Sequence, residues 1–315
     1  MSHVTIRAPV EATLTWRYDT TAPRVRSLYE RAKQAQWNAT TDVDWSLDVP
    51  FGAALPDDSA YAMAAFAASP LAARGRPMWD VFRWELQAWM VSQFLHGEQG
   101  ALVVAGRLVE VVPDVDSKFY AASQAADEAR HVEVFARYVR DKLPASYPVS
   151  GPLESLVTHI LADRRWDVTA LGMQIMVEAL AMAAFRLADV TFHDDLIKSI
   201  ARLVARDEAR HVSFGVLSLG GVYRDMTRAE LVDREDLVLE AAYLTRRRFL
   251  LEDVWERLDV PRADGVAYAA TDQLMTKYRQ TIFTKVVSAL HGIGLLTERV
   301  RAGLAGLGLL SYHRM

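Results

Sequence analysis

Apolar residues recur along this chain at the three- and four-residue spacing of amphipathic helices and seldom in the every-second-residue alternation of strands. The helical period predicts a first helix over about 23–36. A polar stretch with embedded tryptophans, WNATTDVDWSLDVP, then interrupts it and reads as an ordered loop anchored by Trp37 and Trp45. A short helix is predicted over 59–68, and from residue 77 the signal is nearly continuous. One long helix covers 78–111 and stops at Pro113-Asp114, and a second runs to 142, ahead of Leu143-Pro144 and Pro148. A third covers 152–191, with a break near Arg164, and a fourth covers 195–218 after the polar His193-Asp194-Asp195 corner. Further helices are predicted over 228–258 and 262–290, followed by a short terminal one, while residues 1–20 read as extended.

This pattern predicts an all-α protein with a four-helix bundle core over 77–222. An N-terminal extension (1–76) and C-terminal helices (223–315) pack on that core as one domain. The Arg246–Arg248 run reads as a solvated helix face, and Trp84, Trp89, Met90 and Phe94 read as core packing.

Composition narrows the chemistry. The chain has no cysteine, which excludes thiol nucleophiles, zinc–thiolate sites and cysteine-held iron–sulfur clusters. A metal here has to be held by carboxylates and imidazoles. A formal charge of −4 with no basic stripe argues against a nucleic-acid partner. No stretch of eighteen apolar residues runs uninterrupted, so no membrane span is expected. The opening MSHVTIRAPVEATLTW has neither the basic nor the apolar segment of a signal peptide, and a cytoplasmic location is expected.

Two copies of one hexapeptide, DEARHV, stand at 127–132 and 207–212, and a glutamate precedes each motif glutamate by thirty residues: Glu98 before Glu128, Glu178 before Glu208. Such repetition signals a duplicated helical hairpin. Glu128 with His131, and Glu208 with His211, are i,i+3 pairs that share one helix face. Glu98 and Glu128 each lie fifteen residues from Pro113, so both arms of the first hairpin carry their glutamate roughly 20 Å from the turn. Glu178 and Glu208 stand in the same relation to His193. A single Glu-x-x-His would be read as a surface ion pair; two identical copies with matched upstream glutamates would not.

Glu178 also sits within GMQIMVEALAMAAF, where a lone buried carboxylate would cost several kcal/mol. Met173, Met176, Met182 and Phe185 flank it, read first as core filling and second as the lining of an apolar pocket beside the metals. Four carboxylates and two imidazoles gathered in a core call for cationic compensation, which two divalent irons supply. Glu98, Glu128, His131, Glu178, Glu208 and His211 are therefore the expected ligands. Asp127 and Asp207 are expected to take the second ring N–H of the ligand histidines, across the repeat: Asp207 toward His131 and Asp127 toward His211. Arg130 and Arg210 would neutralise those aspartates. His3, His96, His159, His193, His291 and His313 form no comparable set, and Glu85 is too far along its helix to join the cluster.

At these residues, 98–131 and 178–211, the sequence resembles the ferritin-like di-iron carboxylate superfamily: ribonucleotide reductase small subunits, bacterial multicomponent monooxygenase hydroxylases and arylamine N-oxygenases. The resemblance implies a ferritin-like fold and two iron ions, with manganese an alternative at one position. It also implies dioxygen as co-substrate and electrons from a separate reductase or ferredoxin. Particular positions depart from those relatives. Phe135 stands where the reductase subunits carry a radical tyrosine, and Val204 where the N-oxygenases carry a third histidine. Gly100 and Met173 stand where related ligand-binding oxidases join a valine to a tyrosine. The expected activity is hydroxylation, N-oxygenation or desaturation of a small, apolar organic molecule. The alternative is a ferroxidase or iron-binding protein with no organic substrate. A homodimer through the C-terminal region is the expected assembly.

Overall fold

Several helices in this protein start at a side-chain cap and others carry a proline in the first turn. A computed structural model describes residues 5–6, 12–52 and 59–310. In chain order the α-helices are α1 (Pro23–Gln34), α2 (Ala60–Ala68), α3 (Pro77–Val111), α4 (Val115–Lys142), α5 (Gly151–Ala162) and α6 (Trp166–Ala170). They continue with α7 (Glu178–Thr191), α8 (Asp195–Leu219), α9 (Arg228–Arg248), α10 (Glu252–Arg257), α11 (Arg262–Thr271), α12 (Gln273–Gly292) and α13 (Glu298–Gly306). There is no strand among the described residues.

Two hairpins make the core. The first is α3 against α4, closed at Asp114, whose carboxylate accepts from the backbone N–H of Ser117 at 2.9 Å. The second is α7 against α8, closed at Asp194. One oxygen of Asp194 accepts from Leu196 N at 2.9 Å and Ile197 N at 3.1 Å. The other takes Gln87 Nε2 at 2.9 Å and the hydroxyl of Tyr138. A single buried aspartate thus caps α8 and ties it to both helices of the first hairpin. Across the free side lie α1, against α4 and α8, and α12, against α7. One continuous apolar core runs from Val25 to Leu309.

Where the sequence predicts an unbroken helix over 166–191, a wider π turn occupies Leu171–Val177 and ends at Glu178. Its packing is tight. A Cβ at Gly172 would lie 2.6 Å from Ile160, and one at Gly215 would lie 2.5 Å from Cβ of Gln174. The run Trp166–Thr191 is long and apolar enough to cross a membrane, but 83% of its most apolar window is buried inside the bundle. It is a core helix.

Two predicted C-terminal helices are each broken. The 228–258 helix ends at Arg248, and the buried run Phe249, Leu250 and Leu251 that follows forms a corner before α10. Leu251 adopts a left-handed conformation, φ 59°, to make the corner. The 262–290 helix breaks at Asp272, which turns extended and caps α12 through Met275 N at 2.9 Å.

The close approach at Gly215 gives a direct test. Gly215→Ala should lower stability by about 1–3 kcal/mol in urea unfolding, because its methyl meets the rigid Cβ of Gln174. Gly97→Ala, where nothing lies within 4 Å of the added Cβ, should be neutral or slightly stabilising.

Candidate metal centre

All six side chains expected as ligands come together between the two hairpins, and none is more than 5% exposed. They form two overlapping groups, Glu98–Glu128–His131–Glu208 and Glu128–Glu178–His211. Within each group, one ligand atom per residue lies within 4.8 Å of every other. Glu128 belongs to both: its Oε2 is 3.1 Å from His131 Nδ1 and its Oε1 is 3.1 Å from His211 Nδ1. Glu208 Oε1 also stands between the rings, 3.4 Å from His131 Nδ1 and 3.5 Å from His211 Nδ1. Glu98 Oε2 is 3.0 Å from His131 Nδ1, and Glu178 Oε2 is 3.9 Å from His211 Nδ1. Two central carboxylates and two outer ones, each outer one with its own imidazole, make an approximately twofold arrangement.

Both rings turn Nδ1 inward and Nε2 outward. His131 Nε2 lies 3.4 Å from Asp207, and His211 Nε2 lies 3.3 Å from Asp127, so each histidine meets the aspartate of the other repeat. Arg210 joins the two aspartates, at 2.7 Å to Asp207 and 3.1 Å to Asp127, and Arg130 bridges them from the other side. Helix α1 and the corner after it complete this end: Gln36 Nε2 donates to Asp127 at 3.1 Å, and the Trp37 indole N–H donates to Asp207 at 2.7 Å.

Spacing alone did not point to three of the residues at this site. Gln124, fully buried one turn before Glu128, donates from Nε2 to Glu178 at 2.7 Å and to Glu128 at 3.1 Å, fixing an outer and a central carboxylate at once. Its i,i+4 relation to Glu128 was a usable signal. Trp37, read from sequence as an anchor only, holds Asp207 and stacks on the His131 ring at 6.3 Å between centroids. Arg248, read as part of a solvated face, instead lines a cavity shared with Glu98, Glu178 and Glu208. Trp89, Met90 and Phe94, read as core packing, line that cavity, as does Met176, for which a place in an apolar pocket is the second reading. His96 lies elsewhere, 2.9 Å from the Tyr147 carbonyl, and Glu85 accepts from the Tyr147 hydroxyl. His3 and His313 fall outside the described residues.

The electrostatics are those of a site built around cations. Burial, then the carboxylates of Glu208 and Glu128 acting against His131, pushes the Glu98 carboxyl up to about 8. Burial and the neighbouring carboxylates likewise drive Glu178 well above the ordinary range, against the pull of His211. Burial alone would raise Glu128, but the charge of His211 and hydrogen bonds from both rings hold it low. Burial would depress the imidazoles, yet their acidic neighbours keep His131 and His211 well above 6.5. Protons thus stand in for missing positive charge. Glu178 Oε2 and Glu208 Oε2 are buried with no hydrogen-bond partner, and His211 Nδ1 is not aligned to make one. Inward-facing lone pairs without donors, in a set of carboxylates and imidazoles, fit a pair of metal ions.

A family model described as P-aminobenzoate N-oxygenase AurF matches residues 102–294, more than half of the chain and inclusive of both DEARHV motifs. The chain belongs to the AurF family. As a member of the AurF family it is an oxidoreductase of the ferritin-like di-metal kind. Within the AurF family's matched span, Val204 is fully buried one turn before Glu208, so that position supplies no third imidazole to the cluster. No curated protein matches the sequence. Among solved structures, an R2-like ligand-binding oxidase with an aerobically reconstituted metal cofactor after photoconversion is 16% identical, with 92% of this chain and 94% of that one covered at a TM-score of 0.40. Another R2-like ligand-binding oxidase, with an aerobically reconstituted Mn/Fe cofactor after a long soak, is 16% identical over 91% of this chain and 92% of that one, at a TM-score of 0.41.

Proposed function

We propose that this protein oxidises a small organic molecule with dioxygen at two metal ions held by Glu98, Glu128, His131, Glu178, Glu208 and His211. The observation that carries this reading is the convergence of the six side chains on one water-excluded centre, with buried oxygens left without partners there. Two iron ions, or one iron and one manganese, supply when bound the redox-active centres at which dioxygen is reduced. The chain's own residues do the rest. Asp207 and Asp127 orient His131 and His211 through Nε2, leaving each Nδ1 directed inward. Gln124 fixes the positions of Glu128 and Glu178. Glu98, Glu178 and Glu208 face a cavity whose other walls are mainly apolar, among them Phe94, Leu153 and Met176. That lining excludes water and suits an organic substrate. A ferroxidase reading calls for a route lined by carboxylates, and apart from the proposed ligands Glu98, Glu178 and Glu208 this cavity's lining holds none. Reducing equivalents come from an external donor, a ferredoxin or reductase.

The test begins with anaerobic loading of ferrous iron, metal analysis, and exposure to oxygen with optical monitoring. About two metals per chain and an oxygen-dependent absorption change are expected. Absence of stoichiometric metal would end this reading.

Loading should also depend on pH with a defined sign. Below about 8 the metal-free Glu98 carries a proton that a cation displaces, so uptake releases protons and tightens as the pH rises toward 8. The raised carboxyl stabilises the metal-free fold fully below its ordinary value of 4.5, and that contribution is lost as the pH climbs through about 8. The gap in Tm between loaded and metal-free protein should therefore widen from about pH 6 to pH 8.5. A gap that narrows would contradict it.

A further inference from the structure

The outward side of α8 is basic, although the chain as a whole carries a formal charge of −4. Two residues along an α-helix turn the side chain by about 200°, so Arg206 and Ser213 face away from Glu208 and His211, which point into the metal centre. Open grooves flank this outward stripe on both sides. One, of about 550 Å³, lies between α1 and α8, with Arg24 and Arg31 over Leu28, Val212 and Val216. The other, of about 370 Å³, lies between α7 and α8, with Arg186, Arg202 and Arg206 over the alanines at 201, 205 and 209. Asp189 is the only acidic residue lining either groove.

Most of that positive charge is not used within the fold. Arg24, Arg31 and Arg186 are exposed and make no hydrogen bond or ion pair among the described residues. Arg202 reaches Asp189 at 3.4 Å, and Arg206 donates to the Ala35 carbonyl at 3.1 Å. The cations of α1 that lie outside the groove are treated differently: Glu30 pairs with Lys33 at 2.7 Å and lies 3.8 Å from Arg26. Unpaired guanidinium groups over a partly apolar floor are complemented by the carboxylates of an acidic partner. The position matters as much as the charge. Because α8 carries Glu208 and His211 on its inner side, a partner seated on the stripe lies about one helix diameter, roughly 10–12 Å, from the metal centre.

We propose that the basic face formed by α8 with the adjoining sides of α1 and α7 is the docking surface for an acidic one-electron carrier protein. This rests on the oxidase reading above and gives its external donor a place and a charge. Reduction of dioxygen to water takes four electrons; oxidation of an organic molecule by one oxygen atom supplies two, and the other two come from the carrier. Each docked carrier gives one electron and leaves oxidised, so two encounters bring two ferric ions to ferrous, with no bond made or broken in the chain. Repeated brief encounters favour charge over a large dry interface, because opposite charge acts chiefly on the association rate.

The probe is a plant-type [2Fe–2S] ferredoxin, an acidic carrier of this kind, presented to oxidised, iron-loaded protein whose metal content is measured in each sample. Its affinity by calorimetry and its second-order rate of reducing the protein should both fall at least about tenfold between low salt and about 1 M salt, where screening reaches about 3 Å. The triple variant Arg24→Glu, Arg31→Glu, Arg186→Glu should show a loss of that size at low salt, and the three Arg→Lys changes should keep most of the wild-type behaviour. Reversing Arg228, Arg262 and Arg301 to Glu, on α9, α11 and α13, changes the net charge equally and should cost far less. Reduction by the small methyl viologen radical should not fall in any variant. No ferredoxin binding, binding indifferent to salt, equal losses in the two reversal sets, or equal affinity for a basic cytochrome c would each overturn the assignment. So would anionic lipid vesicles or nucleic acid taking this face in place of the ferredoxin. Wild-type protein that takes up no metal would instead overturn the oxidase reading, and metal analysis separates that failure from the others.

Discussion

Glu128→Ala is expected to abolish metal uptake at both positions, whereas Glu98→Ala should leave close to one metal per chain. The asymmetry follows from geometry. Glu128 places one oxygen against each imidazole and belongs to both ligand groups, while Glu98 belongs to the first group alone. Metal analysis after equilibrium dialysis distinguishes the two. Stability should part in the same direction. Removing Glu128 leaves two buried, charged imidazoles without the carboxylate that lies 3.1 Å from each. Loss of one partner from a buried pair costs roughly 3–5 kcal/mol. Removing Glu98 from metal-free protein deletes a carboxyl that burial keeps protonated at neutral pH, so the cost should be much smaller. Equal metal loss in the two variants would refute a shared Glu128.

The second large effect is expected for Asp207→Asn. Asp207 is fully buried and is met by His131, Trp37, Arg210 and Arg130, with Arg206 Nε further off at 3.8 Å. Burial works against its charge, but hydrogen bonding and charge from His131, the charge of Arg210 and the Trp37 N–H hold its carboxyl below the ordinary range. The amide keeps the shape and loses the charge. Affinity for metal at the His131 position should fall about 10–100-fold, since the partner of a ligand imidazole sets its orientation and basicity. Metal-free protein should lose about 3 kcal/mol, because Arg210 keeps only Asp127 as a full counter-charge. Trp37→Phe removes one hydrogen bond to the same carboxylate and should show a weaker version of both effects, within about tenfold in affinity. A variant with wild-type affinity would show that Asp207 does not act through His131.

The meeting of the six side chains was legible because it depends on local rules: an i,i+3 pair on each of two helices, and a glutamate at matched height on each partner arm. The fold class was legible for the same reason, since apolar periodicity and the prolines and aspartates at the corners bound α3, α4 and the start of α8. What escaped depends on tertiary docking. The π turn before Glu178 packs closely against Ile160 of α5 at Gly172 and against Gly215 of α8 at Gln174, and no residue in LGMQIMV announces it. Trp37 stands in a polar loop, and its bond to Asp207, 170 residues away, exists only once α1 lies over α4 and α8. Arg248 closes a run of three arginines that looks like a wetted surface. It stands at the end of α9, just before the buried corner Phe249–Leu251, and there it lines the cavity beside the carboxylates.

The crossed contacts between repeats carry a consequence for how the protein is divided. Each DEARHV segment supplies an imidazole and an aspartate, but the aspartate serves the other segment's ring, and Arg210 closes over both aspartates. A hairpin cut out alone would carry a glutamate–histidine pair with an untethered ring and a carboxylate facing water. Two copies of one hairpin, related by a twofold axis, would restore these crossed contacts. The unit of metal binding is therefore a pair of hairpins, whether joined in one chain or brought together as two, and a half-length fragment should hold metal only in proportion to its self-association.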